Sequence, residues 1–239
     1  MAITLYVVHG SHPCAAVEKA LALKGLEFRR VELLPPLHAA IQRVRFGART
    51  VPAMTIGREK VVGSRAIVRR LEELRPQPSL FPADAELRAE VERAEEWGDQ
   101  VWQPIVRRLL WSAIAAAPRS LASYQEGSSL PAVPAPVVSA LAPAVTRVER
   151  RLNRADDGAA RADLRSLPRH LDRIDGWIER GILGGPDVNA ADLQIGATTR
   201  LLMTIGDVRR QIEGRSAAAH ARALFDAPGG EVPAGALPV

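Results

Sequence analysis

The sequence has a single cysteine, Cys14, among its 239 residues. One thiol cannot close an internal disulfide, so the chain has no disulfide framework, and its composition suits a reducing compartment. The same scarcity excludes Cys-rich zinc sites and two-cysteine redox motifs. We therefore expect neither a structural disulfide nor a metal site.

Aromatic residues are also scarce, at 4% of the chain, although the net charge is +5. A basic protein that binds nucleic acid usually shows a stripe of basic residues, often interleaved with aromatic side chains that stack on bases. The basic residues of this chain form no such stripe, so we expect no nucleic-acid partner.

Long apolar runs are missing as well. No stretch approaches the ~18 apolar residues that a membrane-spanning helix needs. The N-terminal run is short and lacks the basic residues that begin a signal peptide. Hydrophobic residues make up 47% and charged residues 25% of the chain, which is typical of a folded globular protein. We expect a cytoplasmic protein without a membrane partner.

The first 75 residues alternate between strand and helix patterns. Strands are predicted at 3–8, 27–33, 53–56 and 60–62, and helices from Pro13 to Lys24, at 37–45 and after Ser64. A strand–helix–strand start predicts a parallel pair with a helical crossover, and the last two strands predict a hairpin. The order βαβαββα predicts a thioredoxin-like α/β domain over residues 1–75.

The strand signal ends after this domain. The segment 75–83 contains three prolines, so residues 76–83 are predicted to be a linker. An all-helical domain is predicted over 84–225, with helices at 84–117 (kinked at Pro104), 137–153, 160–180, 190–205 and 207–225. The tail 226–239 is rich in Gly and Pro, and we expect it to be disordered.

Positive charge is concentrated in the first domain and its linker. Residues 1–82 carry 13 basic and 6 acidic side chains, a net charge of +7. This excess predicts an anionic partner there. Arg43, Arg45 and Arg49 are candidates to attract it, and the alternative is that they form a solvated helix face.

Five short patterns follow one another in a defined order. They are Ser11-His12-Pro13-Cys14, Lys24-Gly25, Thr50-Val51-Pro52-Ala53, Gly63-Ser64-Arg65-Ala66-Ile67 and Asn189-Ala190-Ala191-Asp192-Leu193. In this order and spacing the chain resembles the cytosolic glutathione S-transferase family, to about residue 225. The resemblance implies glutathione or a substitute thiol as co-substrate, an electrophilic small molecule as second substrate, a homodimer and no metal.

Pro52 precedes a predicted strand, where a cis bond would turn the chain. The resemblance implies that this bond is cis and that the backbone of Val51 pairs with the cysteinyl part of glutathione, as an added strand would. The alternative is a trans proline at a strand edge.

Gly63 and Ser64 lie at the start of a predicted helix. A hydroxyl and free N–H groups there can hold a carboxylate, helped by the helix dipole. The resemblance implies that Ser64 binds the γ-glutamyl carboxylate of glutathione, and the alternative is a plain helix cap. The family usually has an acidic residue where this chain has Gly63, which removes a partner for the γ-glutamyl ammonium but leaves room for a ligand.

Ser11 is the candidate catalytic residue, because the resemblance implies a Ser, Tyr or Cys at the first strand-to-helix turn. A hydroxyl there hydrogen-bonds the ligand sulfur and favours the thiolate, which is the nucleophile. The alternative is a helix-capping serine. His12 follows it, where the family usually has proline.

Cys14 lies three residues after Ser11. One interpretation is a buried, inert thiol. The other is a monothiol oxidoreductase or deglutathionylase, in which Cys14 forms a mixed disulfide. A third function, a non-catalytic binding protein of the same fold, stays open because of Gly63 and His12.

Asn189 and Asp192 have the spacing of a capping box, in which an N-cap side chain and an acidic residue at N3 satisfy free backbone N–H groups. We predict a folding role for them and no catalytic one. Trp97, Trp102 and Trp111 are either liners of a second-substrate pocket between the domains or core residues.

Overall fold

The computed structural model describes residues 2–35 and 37–238. Met1, Pro36 and Val239, which fall in the predicted first domain and tail, lie outside the described residues. The first domain contains four strands and three helices: β1 (Ile3–Val7), α1 (His12–Leu23), β2 (Arg29–Glu32), α2 (His38–Phe46), β3 (Ala53–Ile56), β4 (Glu59–Val62) and α3 (Ser64–Leu74). The predicted βαβαββα order is confirmed.

The four strands form one sheet in the order β2-β1-β3-β4. β1 and β2 are parallel, while β1–β3 and β3–β4 are antiparallel, as the crossover and the hairpin predict. Alternate residues of β1, namely Ile3, Leu5 and Val7, are buried in one core with α1 and α3. Tyr6 points to the other face, where its ring meets Phe46 of α2 at 5.1 Å.

The second domain is helical throughout. Its helices are α4 (Ala85–Trp97), α5 (Gln103–Ala116), α6 (Ala135–Asn153), α7 (Asp157–Glu179), α8 (Ala190–Leu202), α9 (Arg209–Ile212) and α10 (Ser216–Leu224). Short 3-10 turns span Pro118–Gln125 and Gly206–Val208. None of the helices in the described part of the chain is long and apolar enough to cross a membrane.

The predicted kink at Pro104 takes the form of a π-helical turn. This turn, Gly98–Trp102, separates α4 from α5, and Pro104 lies at the start of α5. Proline has no N–H to donate to the preceding turn, and its ring crowds the carbonyl four residues earlier, so it disfavours a regular α-helix at this point. Trp102 inside the π turn is fully buried, and its indole N–H donates to Thr199 Oγ1 at 3.1 Å.

Two sequence expectations about the C-terminal part are wrong. The helix predicted over 207–225 is divided, because Gly214 between α9 and α10 has a positive φ of 80°. The tail is not disordered up to residue 238. Val232 pairs with Ile205 in a β-bridge and is fully buried, and the carboxylate of Asp207 accepts hydrogen bonds from the N–H groups of residues 235–237.

The two domains are joined by apolar packing and by polar contacts. α1 packs against α8, and Ala190, Leu193 and Ala197 of α8 belong to the same core as the first domain. The buried carboxylate of Glu95 on α4 pairs with Arg69 of α3 at 2.7 Å. These contacts fix α1 and α3 against the helical domain.

Candidate active site

The sheet register gathers the predicted site residues at one edge. Tyr6 pairs with Ala53, so the end of β1, which leads to Ser11, lies beside Pro52 at the start of β3. Ala53 pairs in turn with Val62, and the Gly63 N–H donates to the Pro52 carbonyl at 3.0 Å. Residues distant in sequence thus meet at the carboxyl end of β1.

Ser11 precedes the first residue of α1 and has an extended backbone. Its side chain makes no capping hydrogen bond to the helix, so the simple capping role is not realised. Its carbonyl accepts from the N–H groups of Cys14 and Ala15, each at 3.0 Å. The half-buried hydroxyl stands at the start of a helix, where the free N–H groups and the dipole favour an anion such as a thiolate.

Cys14 is buried, with 2% of its surface exposed. Burial raises the pKa of its thiol to about 12, and a hydrogen bond from the Ser11 side chain opposes this only in part. The thiol is therefore protonated at neutral pH and is a poor nucleophile. This geometry favours the inert interpretation of Cys14 over a mixed-disulfide mechanism.

His12 also lies inside the protein, with 5% of its surface exposed and its Nε2 atom without a partner among the described residues. Burial, together with the positive charge of Arg107, holds the pKa of this imidazole well below its usual range. His12 is consequently neutral at pH 7. His9, in contrast, contacts the carbonyl of Glu126 through Nε2 at 2.7 Å.

The bond between Val51 and Pro52 is cis, as the sequence predicted. Val51 is half-buried and lies two residues before β3. Gly63 is the N-cap of α3 with φ 91°, a conformation that favours glycine, and a Cβ atom at this position would meet no atom within 4 Å. The space beside the start of α3 is therefore open.

Ser64 is the first residue of α3, one position later than a capping residue, and only 4% of its surface is exposed. Its hydroxyl donates to Gln194 Oε1 of α8 at 3.2 Å, across the domain boundary. The hydroxyl expected to bind a carboxylate already has a protein partner. The free N–H groups of the first turn of α3 remain as anion donors.

Sequence reasoning missed the residues behind Ser64. Gln194 Nε2 donates to Asp99 Oδ1 at 3.2 Å, so a hydrogen-bonded path runs from α3 through α8 to the π-helical turn. Gln194 occupies a fully buried position on α8 among small and apolar residues. A lone Gln in such a run was the available signal, because a buried amide needs polar partners.

The capping box on α8 is present as predicted. Asn189 Oδ1 accepts from the Ala191 and Asp192 N–H groups, and Asp192 accepts from the Asn189 N–H at 2.9 Å. Trp97 and Trp102 stack with ring centres 5.8 Å apart in the core, whereas Trp111 is half-buried. Arg43, Arg45 and Arg49 are exposed, and Arg45 lies over the Tyr6 ring at 4.9 Å.

The described residues contain no cluster of His, Cys, Asp and Glu side chains that could hold a metal ion. Two shallow grooves of about 330 and 530 Å³ lie on α7, lined by residues such as Arg165 and Arg169, and Asp172 and Arg180. Neither is lined by a predicted site residue.

Residues 5–79 match the family model of the glutathione S-transferase N-terminal domain. The chain has the glutathione S-transferase fold. A glutathione S-transferase from Rhodospirillum rubrum F11 superposes with a TM-score of 0.60 at 22% identity, covering 93% of this chain and 85% of that one. The resemblance drawn from the five sequence patterns is thus confirmed at the level of the fold.

Other solved structures of this fold are comparably similar. The β-etherase LigF from Sphingobium sp. strain SYK-6 has a TM-score of 0.64 at 19% identity, covering 94% of this chain and 100% of that one. A theta class glutathione S-transferase from Xanthomonas axonopodis pv. citri, solved with glutathione bound, has a TM-score of 0.59 at 18% identity, covering 94% and 90%. No curated protein matches the sequence.

Proposed function

We propose that the protein is a glutathione S-transferase-like enzyme that activates glutathione or a related low-molecular-weight thiol for attack on an electrophilic small molecule. The observation that carries the proposal is the Ser11 hydroxyl at the start of α1, which makes no capping bond to the helix and already hydrogen-bonds one sulfur, the thiol of Cys14. A hydroxyl in this position donates a hydrogen bond to the sulfur of a bound thiol and stabilises its thiolate.

The remaining site residues support the same reaction. The Val51 backbone, next to the cis-Pro52 bond, offers strand-like hydrogen bonds to the thiol peptide. Gly63 leaves room for the ligand, and the first turn of α3, which Ser64 begins, supplies N–H donors for a carboxylate. The basic first domain attracts an anionic thiol peptide.

A conjugation assay tests this proposal. With 1-chloro-2,4-dinitrobenzene and glutathione, Ser11→Ala should lower kcat/KM by about 100-fold, because one hydrogen bond to the developing charge is lost. Ser216→Ala, an exposed serine on α10, is the matched control and should leave the rate unchanged. Equal rates for the Ser11 variant and the wild type would remove Ser11 from the mechanism.

A non-catalytic binding protein of the same fold is the second candidate. The contact between Ser64 and Gln194 favours it, because that hydroxyl is already satisfied. A thermal-shift screen with glutathione, cysteine, coenzyme A and their S-methyl derivatives separates the two candidates, since a ligand that binds the folded state raises Tm. A shift by thiols together with turnover supports the enzyme, and a shift without turnover supports the binding protein.

We further infer a cytoplasmic homodimer, which the resemblance implies. Sedimentation equilibrium tests the assembly, with an expected mass of about twice the 25.8 kDa of the chain. A single species of monomer mass at micromolar concentration would contradict the dimer.

A further inference from the structure

The start of α5 carries buried polar groups that the proposed reaction does not use. Gln103 is almost fully buried, and its Nε2 donor has no partner in the part of the chain that the structure describes. Arg107, one helical turn later on the same face, has a buried Nε with no partner, and it makes no hydrogen bond or ion pair to any described residue. Two unsatisfied donors, one of them cationic, thus lie side by side.

The next residue, Arg108, shows how a partly buried arginine of this helix is normally paired. Arg108 forms a two-pronged ion pair with Asp163, with N–O distances of 2.7 and 2.8 Å. Arg107 has no such carboxylate, although its guanidinium is the more deeply buried, and burial lowers its pKa. Leaving a buried cation unpaired costs several kcal/mol in folded proteins, so such a group usually has a ligand.

The acidic residues nearest Arg107 do not neutralise it. Asp99 and Glu149 act on its charge, but neither forms an ion pair with Arg107 among the described residues. Asp99 is bound to Gln194. Burial raises the pKa of Glu149, and its carboxylate accepts a hydrogen bond from the side chain of Asn153 at 3.3 Å. Arg107 therefore has no ion-pair partner among the described residues.

Arg107 lies near the residues at the start of α1. Its charge acts on His12, which directly follows Ser11 and has an unpartnered, buried Nε2. Asp99, two turns before Arg107, is linked through Gln194 to Ser64. Arg107 therefore lies within electrostatic range of the start of α1, where Ser11 stands.

We propose that Arg107 and Gln103 form a subsite for an anionic group, a carboxylate or sulfonate, on the electrophilic substrate. The assignment rests on the proposed function and adds the substrate class to it. A guanidinium binds a carboxylate through two parallel hydrogen bonds, and the Gln103 amide adds a third. The dipole at the start of α1 favours the same negative charge.

In the conjugation step, the thiolate sulfur forms a bond to the electrophilic carbon, and the leaving group departs with its bonding electron pair. The thiol proton passes to solvent. With an aryl chloride, a C–S bond replaces a C–Cl bond and chloride is released. Arg107 acts only by binding the anionic group of the substrate. Its replacement should therefore change the KM for the electrophile and leave kcat unchanged.

Matched substrates test the subsite. The pair 4-chloro-3,5-dinitrobenzoate and 4-chloro-3,5-dinitrobenzamide shares one leaving group and differs in charge. Wild type should have a KM at least about 10-fold lower for the benzoate. Arg107→Met should raise that KM about 10- to 100-fold and leave the KM for the benzamide within about twofold. Gln103→Leu should raise the KM for the benzoate to a smaller extent.

The control is Arg147→Met, an exposed arginine on α6, which should leave both KM values unchanged. Equal KM values for the two substrates in wild type, or equal changes in Arg107→Met, would overturn the subsite while the conjugation activity stands. A rise in the KM for glutathione with both electrophiles would place the bound anion on the thiol and would also overturn it.

A binding measurement keeps the subsite testable if neither substrate is turned over, which would count against the proposed function alone. Calorimetry with 3,5-dinitrobenzoate and 3,5-dinitrobenzamide should then show tighter binding of the benzoate to wild type, lost in Arg107→Met. Equal affinity for both compounds would overturn the subsite. Melting curves of each variant verify that it is folded.

Discussion

Cys14 and Ser11 lie three residues apart, and their surroundings give them opposite chemistry. Burial suppresses ionisation of the Cys14 thiol, whereas the half-buried Ser11 hydroxyl stands at the start of α1. The sequence suggested this division, because the resemblance placed the active hydroxyl at Ser11. It could not supply the burial of Cys14, which depends on packing against the rest of the first core.

We predict that Cys14 in the folded protein does not react with 5,5′-dithiobis(2-nitrobenzoate) at pH 8 and reacts fully in urea. Burial raises the pKa of this thiol to about 12 in the folded protein, from an ordinary value of 9.0. As pH rises, the thiol therefore ionises in the unfolded chain before it ionises in the folded protein. The free energy of unfolding consequently declines as pH rises from about 9 to 12. Rapid labelling of the native protein would contradict this account.

Lys24 is the other residue whose role depends on its surroundings. Its ammonium is fully buried, pairs with Glu72, and donates to the carbonyls of Arg75 and Pro78 at 2.7 and 2.6 Å. Lys24→Met should lower the free energy of unfolding by about 3 kcal/mol, because it leaves a carboxylate and several carbonyls without their partner. Urea denaturation measures this, and Lys19→Met, on the partly exposed side of α1, should change it by under about 0.5 kcal/mol.

At the scale of elements, the sequence predicted the strands and most helices because their signals are local. β1 and β3 are short, largely apolar runs, β4 is paired to β3 through a tight turn at Gly57, and the capping box sets the start of α8 at Ala190. The division of the last predicted helix at Gly214 was missed, since one glycine does not by itself end a helical pattern. The link from Ser64 to Gln194 was missed because it joins residues 130 positions apart.

The capping box yields a quantitative prediction. Asn189→Ala should lower the free energy of unfolding by about 1–2 kcal/mol, since two N–H groups lose their acceptor and the Ile182 carbonyl loses a donor. Asp84→Ala removes a single capping bond at the exposed start of α4 and should cost less. If urea denaturation shows the same loss of unfolding free energy for Asn189→Ala and Asp84→Ala, the burial of the capping box does not increase its contribution to stability.

The segment that follows the 3-10 turn 118–125 is tied to β2 by one carboxylate. Glu32 accepts hydrogen bonds from the side chains of Ser128 and Ser129 and pairs with Arg30. Burial alone would raise its pKa, but these hydrogen bonds hold the pKa at about 2. The ionised Glu32 carboxylate therefore contributes its full stabilisation of the folded protein above pH 4.5. This stabilisation is lost as pH falls towards 2 and the carboxylate becomes protonated.

Glu32→Gln should accordingly speed amide hydrogen exchange at residues 128–130 without changing exchange in β1. Glu27→Gln, an exposed neighbour of β2, is the matched control and should leave exchange unchanged. Hydrogen exchange followed by mass spectrometry measures both variants. Unchanged protection in the Glu32 variant would show that other contacts hold the segment.

At the scale of the whole molecule, the C-terminal tail links the helical core to the loop that carries Ser11. Val232 and Leu237 are buried in the helical core, and Gly230 packs so closely on the Tyr124 ring that a Cβ atom would lie 2.5 Å from it. The backbone carbonyl of Tyr124 lies near Gly10 in the loop before Ser11. A Cβ atom built at Gly10 would be 3.9 Å from the carbonyl oxygen. The Gly- and Pro-rich composition of the tail predicted disorder. Composition does not show that Val232 and Leu237 pack in a core formed by residues distant in sequence.

Truncation after Asp226 tests this arrangement. Loss of two buried apolar side chains should lower the free energy of unfolding by about 3 kcal/mol or more, and Asp207 would lose three N–H donors. Because Tyr124 would lose the backbone of Gly230 from its ring and its carbonyl lies near Gly10, the KM for the electrophile in the proposed conjugation reaction should rise as well. Deleting only residues 238 and 239 is the control and should change neither quantity. If the longer truncation leaves both the melting curve and the KM as in wild type, the tail does not stay on the helical core in solution, and the disorder expected from its composition would be the correct description.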